Sequence, residues 1–435
     1  MNNVHNTSER CSHDLLKVYN FMHDDELIGL YEISQLANVG TSAVGNWRQR
    51  YLDFPAPVKQ LRSGPVFEKR QILNWLRKKE EPMTKVIALF NNKGGVGKTT
   101  TIWNLGTSLA HKGKSVLAID FDPQCNLSIA ALGAQEFWQC LNSSKKLPYG
   151  QTIRAFALPY IQQSAPGKPY IKQPKVSRNK KLDVVPGDFW LNNFSDILNV
   201  GTDVIGGAGL YRFLMPSTLI NAVEKEFEKK YDFALIDLPP SFNTLVRAAL
   251  YSSDYFLVPC TPDLFSAYCV GLIGQVLPQF IEDWEQGKER YLQSNSYDQI
   301  IPEKGQPKFG GWIFNGFDTR KKVGSDEVAK TGADEAQFTA VKKSIDKDLI
   351  PKLETINSYD AVPDFLEKEP VASIEDLNVM APDSIVQNTP IKYLPQSKPT
   401  RDNVRSGTWS SDQKKLMKNM DREYDKLAQL IIDKF

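Results

Sequence analysis

The chain changes rhythm as it is read from one end to the other. Between residues 26 and 79, apolar positions recur at helical spacing. Ile33, Leu36 and Ala37 form a first group, Val44, Trp47 and Tyr51 a second, and Ile72, Trp75 and Leu76 a third. Steps of three and four put such residues on one face of a helix, which predicts three short amphipathic helices. Charge and proline in Lys79-Glu80-Glu81-Pro82 end the last helix, so residues 80–84 read as a linker. From residue 85 the pattern becomes short apolar runs, at 86–90, 116–119, 182–185, 233–236, 255–258 and 312–314, separated by amphipathic stretches. Strands of that kind are buried on both faces and alternate with helices. They predict an α/β domain over 85–375 with a mostly parallel sheet flanked by helices. Residues 376–411 are rich in Pro, Ser, Asn and Thr and are expected to be irregular. Residues 412–435 are expected to form a terminal helix that docks on the α/β body through Leu416, Met420, Tyr424, Leu427 and Ile431. Residues 1–25 are polar, and the chain has no internal repeat.

Composition adds constraints. Of 435 residues, 41% are hydrophobic and 24% charged, enough for buried cores and unlike a disordered chain. The start of the chain lacks the apolar core of a signal peptide, and runs such as 86–90 are too short to cross a bilayer. Five cysteines (Cys11, Cys125, Cys140, Cys260, Cys269) form no CxxC pair and stand beside only four histidines, so neither a disulfide framework nor a zinc site is expected. A reducing cytoplasm fits that usage. The formal net charge of +2 is an average over unlike parts: residues 41–79 carry +7 and residues 143–181 carry +9, which leaves −14 for the rest. The sequence is a mildly acidic body with two basic segments.

The strongest chemical signal is Phe90-Asn91-Asn92-Lys93-Gly94-Gly95-Val96-Gly97-Lys98-Thr99-Thr100, lying between a predicted strand and a predicted helix. Glycines there let successive N–H groups point at phosphate oxygens with the helix dipole behind them. Lys98 then reaches the β- and γ-phosphates, and the Thr99 hydroxyl can ligate Mg²⁺. The fold class is therefore a P-loop NTPase. The ordinary pattern would place glycine at position 92, which is Asn92, and the loop opens instead with an additional lysine, Lys93. This motif resembles the deviant Walker A loop of the ParA/MinD family of ATPases. The resemblance implies that Lys93 crosses a dimer interface to the partner's nucleotide, so that two chains sandwich ATP.

Three further stretches resemble the same family, in the same order. In Ile119-Asp120-Phe121-Asp122, the resemblance gives Asp122 the water-orienting role and places Asp120 beside the metal. In Ile236-Asp237-Leu238-Pro239-Pro240, an acid ending an apolar strand has the Walker B arrangement, with Asp237 holding Mg²⁺ through water. The loop containing Pro262 and the residue Asn315 look like the family's adenine side. The likeness covers residues 85–371 and is weakest between 140 and 181. One branch of the family holds an iron–sulfur cluster between subunits, but only Cys125 lies near a switch, so no cluster is expected. Another branch ends in a basic membrane-targeting helix. Here the terminal helix alternates Lys414, Lys415, Lys418 and Arg422 with Asp421, Glu423, Asp425 and Asp433, so membrane binding is not expected.

The module at 26–79 resembles winged helix-turn-helix domains of the MerR/excisionase kind, with Asn38 where glycine is commoner. In that arrangement the second helix enters the major groove of DNA. Its outward face would present Thr41, Ser42, Gly45, Asn46 and Gln49 to base edges, with Arg48 and Arg50 toward phosphates. Residues 58–67 would form the wing, with Arg62 at its tip. The alternative is a small three-helix unit for protein contacts. The segment 143–181 fits a DNA surface, a solvated loop or a site for an acidic partner, and Arg320, Lys321 and Lys322 form a weaker basic group. The implied function is a ParA-type ATPase of plasmid or chromosome partition, cytoplasmic and nucleoid-associated, stimulated by a ParB-like partner. The alternatives are an ATP-switched DNA-binding regulator of a mobile element or defence locus, and a cargo-positioning ATPase.

Overall fold

The structure, a computed structural model, describes residues 27–37, 39–50, 54–80, 83–163, 166–177, 180–199, 203–296, 298, 300–321, 328–361, 369–376, 380–400 and 407–435. The described residues fall into two compact units divided between Met83 and Thr84. The expectations for residues 1–25, for Asn38, Tyr51 and Lys322, and for Glu81 and Pro82 of the linker lie outside the described residues.

The first unit runs β1 (Leu27–Gly29), α1 (Leu30–Leu36), α2 (Thr41–Arg50), β2 (Lys59–Leu61), β3 (Gly64–Glu68) and α3 (Lys69–Glu80). Ile33, Val44, Phe67, Ile72, Trp75 and Leu76 are its buried centre, and Leu36, Ala37 and Trp47 pack around them. The tilted Trp47–Trp75 ring pair, 5.5 Å apart, ties α2 to α3. Residues expected to form a wing make the antiparallel β2–β3 hairpin; β1, which no periodicity marked, pairs with the other side of β3.

The second unit is built on seven parallel strands in the order β12-β9-β8-β4-β7-β5-β6. In chain order these are β4 (Lys85–Leu89), α4 (Lys98–His111), β5 (Val116–Asp120), α5 (Asn126–Leu132), α6 (Ala134–Leu141), α7 (Ile153–Gln163), β6 (Leu182–Val185), α8 (Leu191–Asn199), α9 (Leu210–Phe213), α10 (Met215–Glu226), β7 (Phe233–Asp237), α11 (Thr244–Ser252), β8 (Tyr255–Cys260), α12 (Leu264–Ser294) and β9 (Lys308–Phe317). There follow a hairpin, β10 (Thr319–Lys321) and β11 (Val328–Lys330), then α13 (Gly332–Ser344), α14 (Ile350–Leu353), β12 (Ala372–Glu375), α15 (Ala381–Val386) and α16 (Ser411–Lys434). Every residue of β5, β6, β7 and β8 is buried, as continuous apolar runs demand. One sheet face packs on α7, α8 and α10 to α13, and the other on α4, α5 and α16.

Three expectations are corrected. Residues 376–411 are not irregular where described: α15 and a 3₁₀ turn at Leu394–Gln396 form there, and Ile391, Tyr393, Leu394 and Trp409 are buried. Trp409 explains part of this, because its indole N–H donates to the Leu394 carbonyl at 3.0 Å across the segment. In α16 the buried stripe is Met417, Met420, Tyr424, Leu427, Ala428 and Ile431, and Leu416 is only partly covered. That stripe steps by three and four from Met417, so Leu416 falls one position off its axis. Finally, α12 is long and apolar enough to cross a membrane by length and composition, contrary to the reading of short runs alone. Its Cys269, Val270, Ile273, Leu277, Ile281 and Trp284 are buried in the core of the unit.

Strand register sets up the site. Leu89 of β4 and Asp120 of β5 both lie level with Asp237 of β7, so three strand ends open onto one crevice. A crevice at the carboxyl ends of parallel strands is where this architecture binds ligands.

Candidate nucleotide site

The loop after β4 turns sharply at Gly95 (φ +74°) and Gly97 (φ +83°), left-handed conformations that favour glycine. Asn91 anchors it, donating through Nδ2 to the Pro259 carbonyl (2.7 Å) and accepting through Oδ1 from the Lys93 N–H (2.9 Å). The Lys98 ammonium is buried and donates to the carbonyls of Asn91 (2.9 Å) and Lys93 (3.0 Å). Burial lowers its pKa to about 8, against the pull of Asp237 and Asp122. Gly94, Gly95 and Thr100 are exposed, while Val96 is buried.

Three carboxyl groups complete the site, and two of them, Asp237 and Asp122, act on the charge of that lysine. Thr99 Oγ1 donates to Asp237 Oδ2 at 2.7 Å. Asp120 Oδ2 accepts from the Ser128 N–H (2.8 Å) and hydroxyl (2.5 Å). Asp122 Oδ1 accepts from the Gln124 N–H at 2.9 Å. Burial raises the pKa of Asp120 to about 7, raises that of Asp122, and lifts that of Asp237 well above the usual carboxylate range. Asp120 and Asp237 each keep one buried oxygen, Oδ1, with no hydrogen-bond partner. Two such oxygens beside the Thr99 hydroxyl suit a hard divalent cation that draws its other ligands from phosphate and water. Among the described residues no group of three or more His, Cys, Asp and Glu could hold a metal ion. The Thr99 hydroxyl and these carboxyl groups have the donor chemistry that fits Mg²⁺ bound together with a nucleotide's phosphates. The described cysteines (Cys125, Cys140, Cys260, Cys269) are buried free thiols.

Two predicted residues make contacts the sequence did not suggest. Lys93, for which a role in a partner chain was implied, is folded into its own: Nζ bonds Thr261 Oγ1 (2.6 Å) and Ser266 Oγ (3.4 Å) and forms an ion pair with Asp263. Asn315 braces the loop, donating through Nδ2 to the Val96 carbonyl at 2.9 Å. Its buried Oδ1 has no partner, and the residue lines a pocket of about 150 Å³ with Gly97, Thr100, Asp376, Met420 and Tyr424. Thr261 borders that pocket, and Pro262, the predicted neighbour of the base, is not among its lining residues. Sequence reading missed Ser128 and Gly187. A Cβ on Gly187 would lie 2.9 Å from the Asp120 carboxyl carbon, so glycine is required there. Ser128 carries no motif; the only hint was a hydroxyl residue early in the helix after the Asp120 turn.

In the first unit Thr41, Ser42, Asn46 and Arg48 are exposed on α2, Val44 is buried and Gly45 is partly covered. The Arg48 guanidinium lies 5.6 Å from the Phe67 ring centroid. Arg62 is exposed at the β2–β3 turn; the side chains of Gln49 and Arg50 lie outside the description. The basic segment 143–181 is held against its own unit. Lys172 pairs through its backbone with Val184 of β6, Lys168 pairs with Glu226 (3.4 Å), and Lys181 Nζ donates to the Gly113 carbonyl (2.5 Å). Lys145 and Lys146 are exposed, as is Arg320 on β10.

A family model described as an AAA domain matches residues 84–288. The uncharacterized protein MJECL24 of Methanocaldococcus jannaschii is 30% identical over 55% of this chain and 75% of its own length. The chromosome partitioning protein ParA of Caulobacter vibrioides is 32% identical over 42% of this chain, which spans 58% of that relative's length. The crystal structure of protein DIP2308 from Corynebacterium diphtheriae superposes with a TM-score of 0.52 at 21% identity, covering 72% of this chain and 98% of that one, which concerns the fold alone. Sheet, loop and carboxylates define a P-loop nucleotide-binding protein. With its lysine-extended loop and these relatives, the chain belongs to the ParA/MinD family of ATPases.

Proposed function

We propose that this chain is a ParA-type ATPase of DNA segregation, which binds MgATP, closes as a homodimer, binds DNA and hydrolyses ATP when a ParB-like partner stimulates it. The observation that carries the reading is the convergence of Lys98, Thr99, Asp120, Asp122 and Asp237 on one glycine-rich loop. In it, loop N–H groups and Lys98 bind and neutralise the phosphates, and Thr99 and Asp237 would hold the cation, with Asp120 beside them. When bound there, Mg²⁺ would supply charge neutralisation for the nucleotide's phosphates. Asp122 orients the attacking water. For Lys93 to reach a partner's nucleotide, its ion pair with Asp263 must open.

A second reading, an ATP-switched transcriptional regulator, draws on the exposed polar face of α2 above a buried Val44. Both readings take the first unit as a winged helix-turn-helix that recognises a specific site. The test is equilibrium DNA binding of the full chain, without nucleotide, with ADP and with ATP, across a salt series. Partition predicts a specific site bound in all three states and ATP-dependent, strongly salt-sensitive binding to any DNA. A regulator binds only its operator, with nucleotide changing that affinity. Asn46→Ala is expected to weaken the specific site by about 1–3 kcal/mol while bulk binding holds. A wild-type chain with no preferred site in a footprint would remove the specific-reader role.

A further inference from the structure

The segments 143–181 and 376–411 both reach one point in the fold, the carboxyl end of α5. A helix leaves its last carbonyls without partners inside the helix. Here the Gly133 N–H donates to the Ile129 carbonyl (3.0 Å), Asn388 Nδ2 donates to that same carbonyl (2.9 Å) and to that of Ala130 (3.2 Å), and the Lys175 backbone N–H donates to that of Ala131 (2.9 Å). The Lys175 ammonium meets Asn388 Oδ1 at 3.5 Å, adding positive charge at the negative end of the helix. Asn388 is 4% exposed and sits at φ +50°, a left-handed conformation that asparagine tolerates. The chain around it is bolted down on both sides. Its amide also reaches the Ile385 carbonyl in α15, and the Ile391 N–H donates to Asn104 Oδ1 of α4 (2.8 Å). Lys392 pairs with Asp421 (2.8 Å) and Asp425 (2.9 Å) of α16.

The amino end of α5 is tied to the nucleotide site. Ser128 donates twice to Asp120 Oδ2, and the Gly187 N–H fixes the Ser128 hydroxyl at 2.9 Å. Seven residues make only about two turns, roughly 10 Å, so a shift at one end of α5 moves the other. We propose that Asn388 and Lys175 are positioning residues for ATP hydrolysis: by capping α5 they hold Ser128, and through it Asp120 and the turn to Asp122, in place. The proposal rests on the ATPase reading above. It also gives one lysine of the basic segment a task inside the fold.

The test uses the full chain with MgATP. Asn388→Gly keeps the left-handed backbone and deletes the amide; Asn388→Asp keeps the shape but turns an acceptor toward the carbonyls. Both are expected to lower steady-state turnover about ten-fold or more. Affinity for a non-hydrolysable ATP analogue should stay within roughly two-fold. Lys175→Met should lose less, and Lys175→Arg should restore wild-type turnover. Ser128→Ala combined with Asn388→Gly should be no worse than the poorer single variant, because both act through one helix. Hydrogen exchange over 120–132 should speed up in Asn388→Gly. Unchanged turnover, additive losses, or analogue affinity falling in step with turnover would each overturn the proposal. A wild-type chain with no ATPase activity would defeat the functional reading instead. Exchange over 120–132 would then judge the coupling alone, faster exchange upholding it and unchanged exchange overturning it.

Discussion

Lys98→Ala is expected to abolish MgATP binding, with affinity falling at least about 100-fold, and with it ATP-dependent dimerisation. Lys98 is the buried cation that feels Asp237 and Asp122, and burial already presses its pKa down to about 8. Without it, the incoming phosphates meet three carboxyl groups with no opposite charge from the chain, and the carbonyls of Asn91 and Lys93 lose their donor. Each charge-assisted hydrogen bond contributes about 1.5–3 kcal/mol, so the loss exceeds what Thr99 and the loop N–H groups can offset. Titration calorimetry with an ATP analogue and sedimentation with ATP check the result. A variant that binds and dimerises normally would strip Lys98 of its role.

The second large effect concerns Asp122. The residue is 5% exposed, and its carboxylate is held on one oxygen by the Gln124 N–H and feels the Lys98 charge. Asp122→Ala should leave nucleotide affinity near wild type, since Thr99 and Asp237 remain to hold the cation. Turnover should fall about 10²–10⁴-fold, the range for losing a positioned acid–base group. The chain should then stay in its ATP-bound, dimeric state. Single-turnover hydrolysis with sedimentation separates the two effects. Wild-type turnover in this variant would move the role to another carboxylate, and Asp120, with its unpartnered Oδ1, would be next.

These predictions rest on features of different legibility. The phosphate loop could be read because its function is local: contiguous N–H groups converge once Gly95 and Gly97 take left-handed turns. The acids at 120 and 237 could be read because each ends an apolar strand. The six predicted strands match β4 to β9 within a few residues, since continuous apolar runs have few other solutions in a layered fold. The edge strand β12 escaped notice: Ala372-Ser373-Ile374-Glu375 is short and alternates buried and half-buried positions.

The net charge likewise carried less than it promised. The lysines of 143–181 suggested a nucleic-acid surface, yet Lys168, Lys175 and Lys181 bind groups of their own unit. Charge counts cannot tell a solvated lysine from one that caps a carbonyl. Asn315 shows the same limit, because its amide partner Val96 lies 219 residues away.

By itself, then, the sequence determined the parallel α/β core, the phosphate loop and the acids at the strand ends, because each depends on neighbours along the chain. Only the tertiary structure decided where Lys93 rests, how Asn315 braces the loop, and that Ser128, Asn388 and Lys175 meet around one short helix. Those contacts join residues that strand order and register bring together, and no periodicity along the chain encodes which distant side chains will share a helix end.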